Sequence, residues 1–252
     1  AGQQVEYRVS TLPTVFGESV VLRVLSQEEM DLDPGVLGMT EEQEETFKRM
    51  VDRPNGIILN TGPTSSGKTT TLFSGLNYVK STDTKIITME DPVEYQLPGI
   101  IQTQVNEKTG FTFASGMRSM LRQDPDICLV GEIRDMETAE IAVQASLTGH
   151  LVLSTVHTNQ AAGAITRLTN MGVQPFLLTS TIQVVLAQRL VRIICDSCKE
   201  QFTPDDRELR KLGKNPEDYR DRTFYRGRGC NECGGTGYDG RTAIFELMEM
   251  TP

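Results

Sequence analysis

Residues 62 to 69 read Gly62-Pro63-Thr64-Ser65-Ser66-Gly67-Lys68-Thr69, which matches G-x-x-x-x-G-K-[ST] at every fixed position. A short apolar run, Ile57-Ile58-Leu59-Asn60, leads into it, and a helical pattern from Lys68 to about Val79 leads out. This order of strand, glycine-rich turn and helix commits the chain to an α/β unit. The chemistry needs these residue types. Glycines let backbone N–H groups turn inward on phosphate oxygens, and the new helix adds the positive end of its dipole. Lys68 is expected to reach the β/γ phosphates, and the Thr69 hydroxyl to ligate Mg²⁺. The nucleotide-binding set is therefore Gly62, Pro63, Thr64, Ser65, Ser66, Gly67, Lys68, Thr69 and Thr70.

The alternation continues on either side. Strands are expected at Lys85–Met89, Ile100–Val105, Ile127–Val130 and Leu151–Val156, with helices at Phe113–Gln123, Met136–Leu147, near Ala161–Met171 and over Pro175–Leu190. Short apolar strands separated by helices predict a mostly parallel central sheet. Upstream, Thr40 followed by Gln43 fits a capping box for a helix presenting Phe47, Met50 and Val51, which stops at Pro54-Asn55-Gly56. The first residues alternate as extended chain at Val5, Tyr7 and Val9, and again through Val20–Leu25. Between Arg23 and Lys48 lie eight acidic residues and no basic one, with turn chemistry at Asp33-Pro34-Gly35, so this stretch reads as a linker. The expected division is 1–33 as the end of a preceding α+β domain plus linker, and 34–252 as the main domain, with a cysteine-bounded insert at 195–233. The chain begins at Ala1 rather than Met and stops just after an apparent strand, so it reads as a fragment.

Charge narrows the function classes. With 25 Lys+Arg against 34 Asp+Glu, the net charge is −9, which argues against sequence-blind nucleic-acid binding. Apolar residues at 38% and charged ones at 23% suit a soluble globular chain. The most promising apolar candidate, Pro175–Cys195, is interrupted by Gln183, Gln188, Arg189 and Arg192, so no apolar run approaches the ~20 residues a spanning helix needs.

A phosphate loop needs acids on neighbouring strand ends. Asp126-Ile127-Cys128-Leu129-Val130-Gly131-Glu132 supplies one set, and Glu90-Asp91-Pro92-Val93-Glu94 another, for Mg²⁺ coordination and water activation. Arg118, Arg122 and Arg134 are candidate cations for the charge that spreads over a γ-phosphoryl group. His150 and His157 bracket one strand, and His157 at its C-terminal end is a candidate for phosphate sensing. Cys195-x-x-Cys198, 31 intervening residues and Cys230-x-x-Cys233 can supply four thiolates to one tetrahedral Zn²⁺. Four thiolates leave no open position, so that metal is expected to be structural. Cys128, inside an apolar strand, reads as a small buried residue.

These motifs occur in an order that resembles the secretion ATPases of type II secretion and type IV pilus assembly, the GspE/PilB group. They are the loop Gly62–Thr69, the box Glu90–Glu94, the run from Leu121-Arg122-Gln123-Asp124-Pro125-Asp126 through Glu132-Ile133-Arg134-Asp135, and Thr148-Gly149-His150 through His157-Thr158-Asn159. Arg8-Val9-Ser10-Thr11-Leu12-Pro13 and Gly17-Glu18 through Arg23 resemble the end of that family's second N-terminal domain. The resemblance implies a RecA-like P-loop NTPase core. It also implies a homo-hexameric ATP hydrolase at the cytoplasmic face of the bacterial inner membrane, held there through a platform protein, with no direct nucleic-acid partner. Glu94 matches the glutamate that activates the attacking water, and Glu132 the Walker B glutamate near Mg²⁺, with Glu94 ranked first as general base. Arg8, Arg23, Arg118, Arg122 and Arg134 match arginines that contact phosphate or transmit nucleotide state. His157 matches the last histidine of the family's His box. The tetracysteine module marks assembly and secretion members, and retraction members lack it. Two other readings, a nucleic-acid motor and a non-hydrolysing zinc scaffold, are disfavoured by the missing basic stripe and by the two carboxylate clusters respectively.

Overall fold

A computed structural model describes residues 6–25, 32–211, 215–219 and 221–251. Residues 26–31 of the expected linker lie outside that set, as does the side chain of Arg23. The N-terminal alternation forms an antiparallel hairpin of β1 (Glu6–Thr14) and β2 (Gly17–Leu25), with Tyr7 opposite Val24 and Val9 opposite Leu22. These four side chains remain exposed. The capping box forms as expected. The Thr40 hydroxyl accepts from Gln43 N–H, the Gln43 side chain accepts from Thr40 N–H, and α1 (Glu41–Val51) buries Phe47, Met50 and Val51.

From there the chain alternates through β3 (Gly56–Thr61), α2 (Lys68–Val79), β4 (Ile86–Glu90), β5 (Ile101–Gln104), α3 (Phe113–Leu121), β6 (Ile127–Val130), α4 (Met136–Leu147), β7 (Leu151–Val156), α5 (Ala161–Met171), α6 (Pro175–Thr181) and β8 (Ile182–Ile194). Two expectations need correction. The helix expected over 175–190 stops at Thr181, and the rest is strand. Ile182, Val184 and Val185 are β-branched and pair in parallel with β3, so the segment is buried from both faces. A short, mostly apolar run such as Ile182–Ala187 carries no period that separates a buried strand from a buried helix. The helix expected to run to Gln123 ends at Leu121, with Arg122 as its C-cap, because Asp124 adopts a left-handed conformation (φ 54°) ahead of Pro125.

The seven-stranded sheet has the order β11-β8-β3-β7-β6-β4-β5, where β11 is Tyr238–Glu249. The registers from β8 through β5 are all parallel. Its two faces carry separate cores. Leu59, Met89, Cys128, Val130, Val152 and Val185 pack with α3, α4, α5 and α6. Ile58, Ile86, Leu129, Leu153 and Val184 pack with α1 and α2. This layering turns the C-terminal ends of the parallel strands into the loops where α/β proteins bind ligands.

The chain divides into two units, 1–188 with 245–252, and 189–244. The second holds β9 (Lys199–Phe202), α7 (Asp206–Arg210) and β10 (Phe224–Gly227). Strands β9 and β10 pair antiparallel, with Phe202 opposite Phe224.

Candidate functional site

The glycine-rich loop wraps from the end of β3 to the start of α2. Gly67, the N-cap of α2, is left-handed at φ 87°. Gly62 has φ 147°, and a Cβ there would sit 2.3 Å from the Gln188 carbonyl oxygen, so only glycine fits between the loop and β8. Lys68 is buried at 9% exposure, and its ammonium donates to the carbonyls of Gly62 (3.0 Å) and Pro63 (2.9 Å). Burial lowers its pKa, while the negative charge of Glu132 pulls it back up. Ser66 Oγ is buried and, among the described residues, without a partner. Thr69 is exposed at the mouth of the loop.

Behind the loop lies a buried polar knot. Gln188 Oε1 accepts from Asn60 Nδ2 and from the Thr71 hydroxyl, each at 2.9 Å. The Thr61 hydroxyl accepts from Thr158 N–H (2.8 Å) and bonds the Val156 carbonyl (3.0 Å), fixing the turn that carries His157. The end of β6 is held in the same way: Gly131 N–H donates to the Met89 carbonyl, and the Thr155 hydroxyl to the Gly131 carbonyl.

Glu132 stands at that strand end with 16% of its side chain exposed. It forms an ion pair with Arg134, and its Oε2 lies 3.3 Å from His157 Nε2. Burial pushes the Glu132 carboxyl up, but the Arg134 hydrogen bond and charge, together with His157, outweigh it and hold the pKa below the ordinary value. Arg134 also reaches Asp91 at 3.9 Å, which bridges the two acidic clusters. Glu94 is exposed on the loop after β4. The structure thus brings Glu132, Arg134 and His157 together beside the loop holding Lys68. The other arginines stand elsewhere. Arg118 pairs with Glu137 at 2.7 Å, and Arg122 donates to the Ser119 hydroxyl. Arg8 lies on the hairpin, opposite Arg23 in register. Among the described residues, no hydrogen bond or ion pair joins Arg8, Arg118 or Arg122 to the phosphate loop, and the Arg23 side chain lies outside them.

In the second unit, the sulfurs of Cys195, Cys198, Cys230 and Cys233 all lie within 4.8 Å of one another. Three pairs are 3.7, 3.8 and 3.9 Å apart. Four thiolates about 2.3 Å from a central tetrahedral ion would be ~3.8 Å apart, so the cluster fits a metal rather than a disulfide, whose sulfurs stand ~2 Å apart. Backbone N–H groups of Cys230 and Gly237 each donate to the Cys233 sulfur at 3.2 Å and bring its pKa down to about 6. Burial instead pushes Cys195 up to about 11. Cys128 is buried in β6, as expected, and its thiol is pushed up to about 12.

The model of the type II/IV secretion system protein family matches residues 1–252. The chain belongs to that family. It is 56% identical over 247 residues to the type II secretion system protein E of Pseudomonas aeruginosa, an alignment that covers 98% of this chain and 49% of that one. It is 51% identical over 251 residues to the type IV pilus assembly ATPase PilB of Thermus thermophilus, covering 97% and 27%. Among solved structures, the pilus retraction motor PilT with bound ADP superposes with a TM-score of 0.68 at 30% identity, over 98% of this chain and 60% of that one. The chain spans about half the length of the type II relatives it matches. Among the described residues, no helix is long and apolar enough to cross a membrane.

Within this family member, the parts played by four groups emerged only in three dimensions, Glu90 having been named only as one of an acidic box. Gln188 had read as a break in an apolar run, yet it is the amide that backs the phosphate loop. Glu90 is buried at 4% exposure, where burial raises its pKa against hydrogen bonds from Thr88 and Gln102. Gln102 and Gln104 serve the same region. A signal existed for Gln188 and Glu90: a lone amide or acid in an otherwise apolar buried strand needs a partner.

Proposed function

We propose that this chain is the motor portion of an ATP-hydrolysing hexamer that powers type IV pilus assembly or type II protein secretion. The observation that carries the reading is the meeting of Glu132, Arg134 and His157 on adjacent strand ends beside the loop that holds Lys68. In this reading, loop N–H groups and Lys68 hold the β- and γ-phosphates, and Thr69 and Glu132 are the protein groups for Mg²⁺. When bound, the ion neutralises phosphate charge. Glu94 takes a proton from water, the water oxygen bonds to the γ-phosphorus, and the bond to the β–γ bridging oxygen breaks to leave ADP. Arg134 and His157 sense loss of the γ-phosphate through Glu132, and Arg8, Arg23, Arg118 and Arg122 act where subunits and domains close on nucleotide. Cys195, Cys198, Cys230 and Cys233 hold a structural Zn²⁺. An inner-membrane platform protein keeps the hexamer peripheral at the cytoplasmic face, without direct nucleic-acid contact.

The test is Mg²⁺-dependent phosphate release by the full-length protein. Lys68→Ala should lower turnover by about a hundredfold or more, since a preorganised cation facing developing phosphate charge is lost. Unchanged turnover in that variant would sink the proposal.

A further inference from the structure

Glu94 is exposed and, among the described residues, makes no hydrogen bond or ion pair. A general base must stand within hydrogen-bond reach of the water it activates, so its position depends on the backbone that carries it. That backbone is the 91–97 loop between β4 and β5, and it is gripped by two glutamines of β5. Gln102 Oε1 accepts from Leu97 N–H at 2.7 Å, and Gln102 Nε2 donates to the Tyr95 carbonyl at 2.8 Å and to Glu90 Oε1 at 3.1 Å. Gln104 Oε1 accepts from Val93 N–H at 3.2 Å. The peptide groups on both sides of Glu94 are therefore anchored to one strand.

The arrangement follows from the sheet. Residues 102 and 104 share a face because strand side chains alternate, and the parallel register sets Gln102 against Thr88 and Gln104 against Glu90. The Gln102 amide has one workable orientation. Reversed, it would aim its NH₂ at the Leu97 N–H and its oxygen at the Tyr95 carbonyl. Glu90 secures it from below: its buried carboxylate takes the Thr88 hydroxyl and the Gln102 amide on the same oxygen.

We propose that Gln102, assisted by Gln104, is a positioning residue for hydrolysis, holding the acidic-box loop so that Glu94 faces the attacking water. This inference rests on the reading of Glu94 as the base. The experiment is a double-mutant cycle in the full-length protein, with kcat and KM for ATP measured on wild type, Gln102→Met, Glu94→Gln and the double variant. Methionine keeps the volume of glutamine and removes its hydrogen bonds. Gln102→Met should lower kcat about tenfold, within the penalty of a misplaced catalytic group, with KM moved less than about twofold. In the Glu94→Gln background it should add almost nothing, because two residues acting as one unit are non-additive. Wild-type kcat in Gln102→Met overturns the inference, and so does an undiminished tenfold loss on top of Glu94→Gln, which would mark general damage. Wild-type kcat in Glu94→Gln overturns instead the assignment of the base. If Gln102→Met does not fold, as judged by circular dichroism, Gln104→Met enters the same cycle, with the same non-additivity expected and full additivity overturning it.

Discussion

The two units of this chain are ordered by different means. The first buries a continuous apolar sheet between helices on both faces, with Phe47, Phe73, Leu59, Met89 and Met117 all below 2% exposure. In the second, the buried apolar side chains among the described residues are Cys195, Cys198, Leu209 and Ala243, and two of these four are thiols of the sulfur cluster. A unit this poor in apolar burial needs a staple. The contrast shows where each can be altered. In the first, functional groups sit at strand ends on top of a core that does not need them. In the second, the candidate ligands are the core.

The largest effect expected from this contrast is metal removal. A strong chelator, or Cys230→Ser, should make residues 189–244 cleavable by protease while 34–188 stay resistant, because structural metal binding supplies about 10 kcal/mol or more of folding free energy. Limited proteolysis with metal analysis checks this, and protection without metal would break the comparison. Lys68→Ala should do the reverse, lowering turnover by about a hundredfold or more while melting stays close to wild type. A collapse in its melting temperature would mean that the loop, rather than the sheet, holds the first unit together. Next in size is Leu59→Ala in the sheet core, expected to destabilise the first unit by about 3 kcal/mol, read from chemical denaturation with metal stoichiometry unchanged.

The smallest effect concerns Glu90. Its carboxyl is pushed above the ordinary 4.5 by burial. The unfolded chain therefore loses this proton at a lower pH than the folded chain does. The contribution is fully favourable below the ordinary value and is lost as pH rises from there through the folded value. Glu90→Gln should flatten that decline in denaturant-derived stability as pH rises above the ordinary carboxyl range. An unaltered slope would assign the decline to another group.

Much of this was legible in the residue order. The phosphate loop, the capping box at Thr40, and strands β3, β6 and β7 follow from local chemistry: glycine turns, a hydroxyl three residues before an amide, and β-branched runs bounded by breakers. Such signals are read from neighbours in sequence, and so is the pairing of two Cys-x-x-Cys motifs. What sequence order could not supply was partnership between distant residues. The run after Thr181 became strand only because β3 offers it an edge to pair with. Glu132 and Arg134 are near neighbours in sequence, but His157 reaches Glu132 and Asp91 reaches Arg134 only once β4, β6 and β7 lie side by side. Gln188 meets Asn60, 128 residues away, only because β8 lies beside β3. The sequence by itself determined the kinds of chemistry present and the class of fold. The tertiary structure decided which polar groups share a buried site, because a hydrogen bond or an ion pair depends on ångström-scale distance between side chains that can lie a hundred or more residues apart.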